Sequence, residues 1–219
     1  MKKGIQLTKT VDRGTLKKVL GSALKSVIAA EPAITRYDTI VGDGDCGVGL
    51  RRGAEAVLRL LEDPSTNLND DIVTSVNRIV SIVENTMDGT SGAIYAIFIN
   101  ALAHGLRSQD NGTTTPATTE VWAKALSYSR DALAKYTPAQ SGDRTMIDAL
   151  VPFCTKLEET KNVAAAAKAA EDGSEASKYM RASLGRAVYV GGEEEWVGKI
   201  PDPGAYGLAE FFKGLAQAV

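Results

Sequence analysis

Between Tyr37 and Gly47 the chain reads Tyr-Asp-Thr-Ile-Val-Gly-Asp-Gly-Asp-Cys-Gly, which sets Asp38, Asp43 and Asp45 within eight positions. Like charges about 4 Å apart repel by ~1 kcal/mol in bulk water and by ~4 kcal/mol at an effective dielectric near 20. A folded loop that keeps all three ionised therefore gains by binding a hard cation. Carboxylate oxygens suit Mg²⁺, which retains several waters and takes its remaining ligands from substrate phosphates. The segment reads as a loop for a metal–nucleotide complex. Its bland alternative is a Gly/Asp turn facing water, yet a turn seldom needs three acids.

Other ligand loops fit less well. Gly42, Gly44 and Gly47 satisfy G-x-G-x-x-G, with Glu62 and Asp63 near the distance of a ribose-binding acid. A dinucleotide loop offers bare N–H groups to a pyrophosphate, whereas Asp43 and Asp45 would repel that anion unless metal is bound. A calcium loop beginning at Asp43 would need an oxygen ligand and an acid where Gly47 and Ala54 stand. No G-x-x-x-x-G-K-[ST] occurs.

The elements that must position these acids are helical. Leu16, Val19, Leu20, Ala23, Leu24, Val27 and Ile28 recur at helical spacing, and Pro32 is expected to stop that helix. Similar stripes run through Ala54, Val57, Leu58 and Leu61, and through Ile72, Val76, Ile79, Val80 and Val83. Ala93 to Leu106 is apolar nearly all round and predicts a central, buried helix. Further helices are expected at about 118–136, 144–159, 161–183 and 205–217, roughly eight in all. The Ala-rich run from Val163 to Ala170 reads as a helix that packs closely. Arg107 to Thr119 reads as the longest polar connection, and only Arg186 to Gly191 hints at extended chain. The fold class is all-α.

Lys and Arg total 25 against 27 Asp and Glu. This balance gives no footprint for nucleic acid and no polybasic membrane signal. Met1-Lys2-Lys3-Gly4-Ile5-Gln6 lacks the apolar run of a signal peptide, and no window approaches a membrane span. A single-domain cytoplasmic protein over residues 1–219 is expected. Cys46 and Cys154 are too few for a disulfide framework or zinc site, and the single histidine, His104, excludes a two-histidine metal centre.

Gly/Asp-rich corners fall between the helices at comparable intervals. They are Met87-Asp88-Gly89-Thr90-Ser91-Gly92, Ser141-Gly142-Asp143-Arg144-Thr145-Met146, Gly185 to Gly192, and Pro201-Asp202-Pro203-Gly204-Ala205. Alternate connections of an antiparallel bundle lie at one end, so a subset can converge on one ligand. Thr90 and Ser91 offer hydroxyls at a helix start, where an anion is favoured, or simply an N-cap. Gly142 to Thr145 could be only a cap, with Met146 and Ile147 as core. Arg186 fits a phosphate contact and a surface ion pair equally well.

Together, Tyr37-Asp38-x-x-Val41-Gly42-Asp43-Gly44-Asp45-Cys46-Gly47, the Asp88-Gly89-Thr90-Ser91-Gly92 corner, Gly142-Asp143-Arg144-Thr145-Met146-x-Asp148-Ala149-Leu150, Gly185-Arg186-Ala187-x-Tyr189-Val190-Gly191 and Asp202-Pro203-Gly204-Ala205 resemble the nucleotide-binding L domain of dihydroxyacetone kinases. The resemblance preserves motif order along nearly the whole chain and is nearest the ATP-dependent, single-chain eukaryotic type. It implies an eight-helix antiparallel barrel with ATP at one end, its phosphates held through two Mg²⁺ ions. Matched by motif, Asp38, Asp43 and Asp45 would be the metal ligands. Cys46, Gly47, Val48 and Gly49 would follow the phosphates with backbone N–H groups, and Thr90 and Ser91 would also serve them. Met146 would help form the adenine or ribose pocket, with Arg186, Asp202, Pro203 and Gly204 closing the site. No general base is implied, since phosphoryl transfer is mostly positioning and charge neutralisation.

Several positions depart from the family pattern. Val48-Gly49 stands where many ATP-dependent relatives have Thr-Thr, Val188 replaces a common Ser, and Thr137 sits where a glycine is frequent. In this family the triose is held covalently on a histidine of a separate K domain. The chain carries no such domain, and His104 reads as an ordinary helical histidine. A K domain or subunit is thus the expected partner; a homodimer is compatible with the sequence. The alternative is a nucleotide-sensing or ADP-holding L subunit that acts through a protein partner.

Overall fold

A computed structural model describes residues 13–66, 72–109 and 117–219. Within them the chain forms α1 (Arg13–Val41), α2 (Cys46–Glu62), α3 (Ile72–Thr86), α4 (Gly89–Arg107), α5 (Thr119–Leu133), α6 (Ile147–Thr160), α7 (Val163–Ala176), a four-residue α8 (Glu193–Trp196) and α9 (Pro203–Ala218). Two 3₁₀ turns, Ser177–Tyr179 and Arg186–Tyr189, lie between α7 and α8, and no strand forms among the described residues. The all-α class and the eight long helices agree with the sequence reading.

Helix packing follows chain order. Each long helix contacts the next, α7 contacts α9 past the short α8, and α9 returns to α1, so the eight close a ring. Apolar stripes face inward: Leu24, Val27, Leu50 and Val57 on one side, Phe98, Leu150, Phe153 and Phe212 on the other. An apolar cavity of about 330 Å³ remains between them, with Leu20, Val83, Ile99, Leu126 and Phe211 among its walls. The close approach expected of the Ala-rich helix is present. Ala166, Ala167 and Ala170 are buried, and a Cβ on Gly173 would lie 1.9 Å from the Asp148 carbonyl oxygen of α6.

Five expectations are corrected. Pro32 does not end α1, which continues to Val41. An internal proline loses one backbone hydrogen bond and costs ~3 kcal/mol. The continuation offsets this by burying Ile34 and Val41 completely or nearly so, with Ile34 in the cluster that holds Leu50 and Leu61. Arg186 to Gly191 is not extended: its first four residues form the 3₁₀ turn, with Val188 and Tyr189 exposed rather than paired in a sheet. The helix expected over 161–183 stops at Ala176, and α6 begins at Ile147 rather than 144. α4 is one member of the ring and not a central helix, so Ala93, Asn100 and His104 face out. Most of the polar connection from Arg107 to Thr119 lies outside the described residues.

Candidate functional site

Asp38 is carried on the last turn of α1, not on a loop, and is buried; Asp43 and Asp45 follow in the exposed turn to α2. Two glycines make the turn fit. A Cβ on Gly42 would lie 2.3 Å from Asp38 Oδ1, and Gly44 takes φ 78°, a left-handed conformation suited to glycine. Asp38 Oδ2 accepts the Cys46 N–H at 2.9 Å, which ties the end of α1 to the start of α2. One carboxylate oxygen from each of Asp38, Asp43 and Asp45 lies within 4.8 Å of the others. Partial burial, then the charges of Asp43 and Asp38, hold the Asp45 carboxyl above its ordinary range, with Arg186 opposing. Arg186 Nε reaches Asp43 Oδ2 at 2.8 Å, so the ion-pair reading of that arginine holds in this structure.

The first turn of α2 bears Cys46, Gly47, Val48 and Gly49. Gly47 presses onto the backbone of α1: a Cβ there would lie 2.7 Å from Thr35 N and 2.8 Å from Glu31 O. Cys46 N–H is engaged by Asp38, and Gly49 N–H by the Asp45 carbonyl at 2.9 Å. The N–H groups of Gly47 and Val48 are the remaining first-turn donors that helix geometry leaves pointing outward. The Val48 side chain is 53% exposed, and Gly49 borders open space.

Arg52 of α2 pairs with Asp88 and donates from Nε to the Thr86 carbonyl at 2.6 Å, fixing the start of α4 beside it. Asp88 occupies the N-cap position without a side-chain cap bond, so neither Thr90 nor Ser91 is the cap. Both lie on the first turn of α4, Thr90 exposed and Ser91 half-buried. One turn further on, burial pushes the Tyr95 phenol well up, with the Asp202 carboxylate adding to the rise.

At the start of α9, Asp202 caps the helix by accepting the Ala205 N–H at 2.8 Å, and Pro203 takes the first helical position. Enclosure of the Asp202 carboxyl raises its pKa to about 7 against the opposing Ala205 N–H and Arg144 charge, with Asp148 and Asp38 adding to the rise. Gly204 abuts Met146, where an added Cβ would meet Met146 Cβ at 3.3 Å. Met146 is buried in the core at the mouth of α6, as is Ile147. Asp148 accepts the N–H groups of Gly142 at 2.6 Å and Thr145 at 2.8 Å, which shapes this corner.

The starts of α2, α4, α6 and α9 are therefore neighbours. Cys46 and Tyr95 pack against the same core cluster, α9 contacts both α2 and α6, and Met146 touches Gly204. Each helix start carries roughly half a positive charge from its aligned peptide dipoles. Sequence reasoning missed Arg144, which is fully buried beneath this end with φ 58°. Nothing in the local sequence marks an arginine for a left-handed, buried position.

Fold and site together define an all-helical ring domain whose acidic cluster stands where helix N-termini meet. Residues 40–217 match the DAK2 domain, and the chain belongs to that family. It is 44% identical over 215 residues to a dihydroxyacetone kinase of Komagataella pastoris, spanning 95% of this chain and 35% of that protein. Identity is 43% over 211 residues to dihydroxyacetone kinase 2 of Saccharomyces cerevisiae, 94% of this chain and 35% of the relative. It is 32% over 209 residues to the rat triokinase/FMN cyclase, 92% and 34%. The crystal structure of the C. freundii dihydroxyacetone kinase superposes with a TM-score of 0.76 at 26% identity, over 100% of this chain and 37% of that one. The same enzyme in complex with AMP-PNP and Mg²⁺ gives 0.73 at 26% identity, over 100% and 36%. The chain thus spans about a third of the length of the relatives it matches. No described helix is long and apolar enough to cross a membrane.

Proposed function

We propose that this chain is the ATP- and Mg²⁺-binding domain of a dihydroxyacetone kinase, and that it works with a K domain holding the triose. The observation that carries this reading is the set of three carboxylate oxygens within 4.8 Å between the end of α1 and the start of α2. An all-oxygen, anionic donor set fits a hard divalent ion such as Mg²⁺. Asp38, Asp43 and Asp45 would hold the metal; two ions accord with three carboxylates and a triphosphate. Bound there, the metal supplies charge neutralisation and polarisation of the phosphoryl group.

The chain's own groups do the rest. The N–H groups of Gly47 and Val48 and the hydroxyls of Thr90 and Ser91 orient phosphate oxygens. Met146 and Gly204, with Pro203 beside them, offer an apolar wall for base or ribose. Arg186 adds positive charge once its pairing with Asp43 is exchanged for phosphate. Positioning of this kind is most of what phosphoryl transfer asks of a protein.

A thermal melt with ATP, with and without Mg²⁺, tests the reading. Ligand at 100 times its dissociation constant adds ~2.7 kcal/mol, which for a chain of this size is a rise on the order of 5–10 °C. The rise should need both metal and nucleotide, and dihydroxyacetone phosphate should form only when a K domain is added. No shift at millimolar Mg·ATP would remove the assignment.

A further inference from the structure

Residues 178–199 make an excursion between α7 and α9 that carries Arg186 to Asp43. Its two ends are gathered by one side chain. Arg144 Nη1 donates to the Ser177 carbonyl at 3.0 Å, and Nη1 and Nη2 donate to the Ile200 carbonyl at 3.2 and 3.0 Å. The guanidinium also lies over the Trp196 ring of α8, 4.5 Å from its centroid. Neighbouring bonds serve the same end. Ser183 Oγ donates to Asp143 Oδ1 at 2.6 Å, Gly198 N–H to the Lys178 carbonyl at 2.6 Å, and Asp202 N–H to Ser177 Oγ at 2.8 Å.

Burying this cation is not needed to fill space. Arg144 is 1% exposed and its Nε has no protein partner, so an apolar side chain of similar volume would pack there without that desolvation. What an apolar side chain could not do is bind the carbonyls that open and close the excursion while stacking on its only tryptophan. A planar fork with several donors suits that task, and a lysine point charge does not. The left-handed backbone at Arg144 turns the side chain toward these carbonyls from a corner whose neighbours Asp143 and Asp148 are themselves tied down.

We propose that Arg144 is a positioning residue: it clamps residues 178–199 against the start of α6 and thereby sets Arg186 over the acidic cluster. The clamp touches neither metal ligand nor nucleotide and acts through the segment it holds. Its effect on nucleotide affinity rests on the function proposed above; its effect on the segment does not.

The experiment uses the 219-residue chain with Trp122→Phe as background, so that Trp196 is the sole tryptophan, excited selectively on the red edge, and compares Arg144→Met, Arg144→Lys and Arg186→Ala. Without nucleotide, Arg144→Met should speed amide exchange across 178–199 by about tenfold or more and leave α1 to α4 unchanged. Its Trp196 emission should shift red and become accessible to iodide. Arg144→Lys, which keeps the charge but not the planar fork, should show the same changes in smaller degree and serves if the methionine variant fails to fold. With Mg·ATP, Arg186→Ala should weaken binding by about tenfold or more, as expected for a charge-assisted contact. Arg144→Met should weaken it similarly, and the double variant no further. Unchanged exchange and emission in both Arg144 variants would overturn the clamp, as would fully additive losses with Arg186→Ala. If the parent binds no Mg·ATP, the nucleotide reading fails, and exchange and emission alone decide for or against the clamp.

Discussion

Asp45→Asn should raise stability in EDTA and lower it in Mg·ATP, a reversal that follows from the site's charge. The substitution removes one of three carboxylates whose nearest oxygens lie within 4.8 Å. At that separation Coulomb's law gives about 0.9 kcal/mol per neighbour at the dielectric of water and about 3.5 kcal/mol at 20. Asp43 and Asp45 are exposed, so the lower figure governs, and two neighbours sum to about 2 kcal/mol. Arg186 and the start of α2 favour the charge by up to about 1 kcal/mol together, leaving a net gain near 1 kcal/mol for Asn. No cap bond is lost, because the Asp45 side chain makes none.

In EDTA at pH 7 the variant should therefore melt about 2–4 °C above the parent. With Mg·ATP at 100 times the parent's dissociation constant, the parent gains about 2.7 kcal/mol. A variant bound about 100-fold more weakly gains only about 0.4 kcal/mol, so the order of the two melting curves reverses. The pH dependence has a definite sign. A carboxyl raised above its ordinary value of 3.8 contributes stability below that value and loses it as pH rises through the raised one. The Asn advantage should then be absent below about pH 4 and present at pH 7, and 1 M salt should shrink it. Scanning fluorimetry in the two buffers decides the matter: a variant that melts lower than the parent in EDTA would refute the argument from repulsion.

Gly47→Ala should destabilise by about 1–3 kcal/mol, because its Cβ meets backbone atoms of Thr35 and Glu31 and forces α2 away from α1; urea midpoints measure this, and an unchanged midpoint would mean the contact yields freely. Asp202, raised to about 7, should erode stability as pH climbs from 4 through 7, whereas Asp202→Asn keeps the N-cap and should flatten that fall; denaturation at pH 5 and pH 8 compares the two slopes. Val48→Thr on the first turn of α2 and Val188→Ser on the turn that carries Arg186 place hydroxyls on exposed positions and should each tighten Mg·ATP by about 2- to 10-fold by calorimetry, one hydrogen bond's net worth.

The helices were legible wherever one face repeats. Ile72, Val76, Ile79, Val80 and Val83 predict α3, and the helix expected at 205–217 is α9, begun two residues earlier by the Asp202 cap and Pro203. Pro32 misleads because its local penalty is outweighed by contacts distant in sequence: Ile34 packs in one cluster with Leu50 of α2, and Gly207 of α9 comes against both. Val188, Tyr189 and Val190 have strand-forming types, but no strand lies among the described residues to reward them, so the segment takes a 3₁₀ turn. The acidic cluster could be read because its signal is contiguous. That Asp38 belongs to a helix could not, since its placement depends on α1 passing Pro32. Arg144 was illegible for a similar reason: its partners are carbonyls, which every residue has, and only the fold says which ones it meets.

The site joins two features that oppose each other when taken singly. Helix starts at α2, α4, α6 and α9 would draw a bare phosphate, and three carboxylates at the same place would repel it. The carboxylates would draw a bare divalent ion, and the dipoles would oppose that ion. A metal–phosphate pair would satisfy both, with the cation against Asp38, Asp43 and Asp45 and the anion against the first-turn N–H groups. The arrangement therefore favours joint binding over either ligand alone, and by linkage each must raise the affinity for the other by the same factor. Calorimetric titration of ATP at several Mg²⁺ concentrations, and of Mg²⁺ at several ATP concentrations, measures that factor from both directions. Coupling beyond that already present between Mg²⁺ and ATP in water is the amount owed to the protein, and Asp45→Asn should abolish most of it. Equal ATP affinity with and without Mg²⁺ would mean that the helix starts hold the nucleotide unaided and that the carboxylates serve another end.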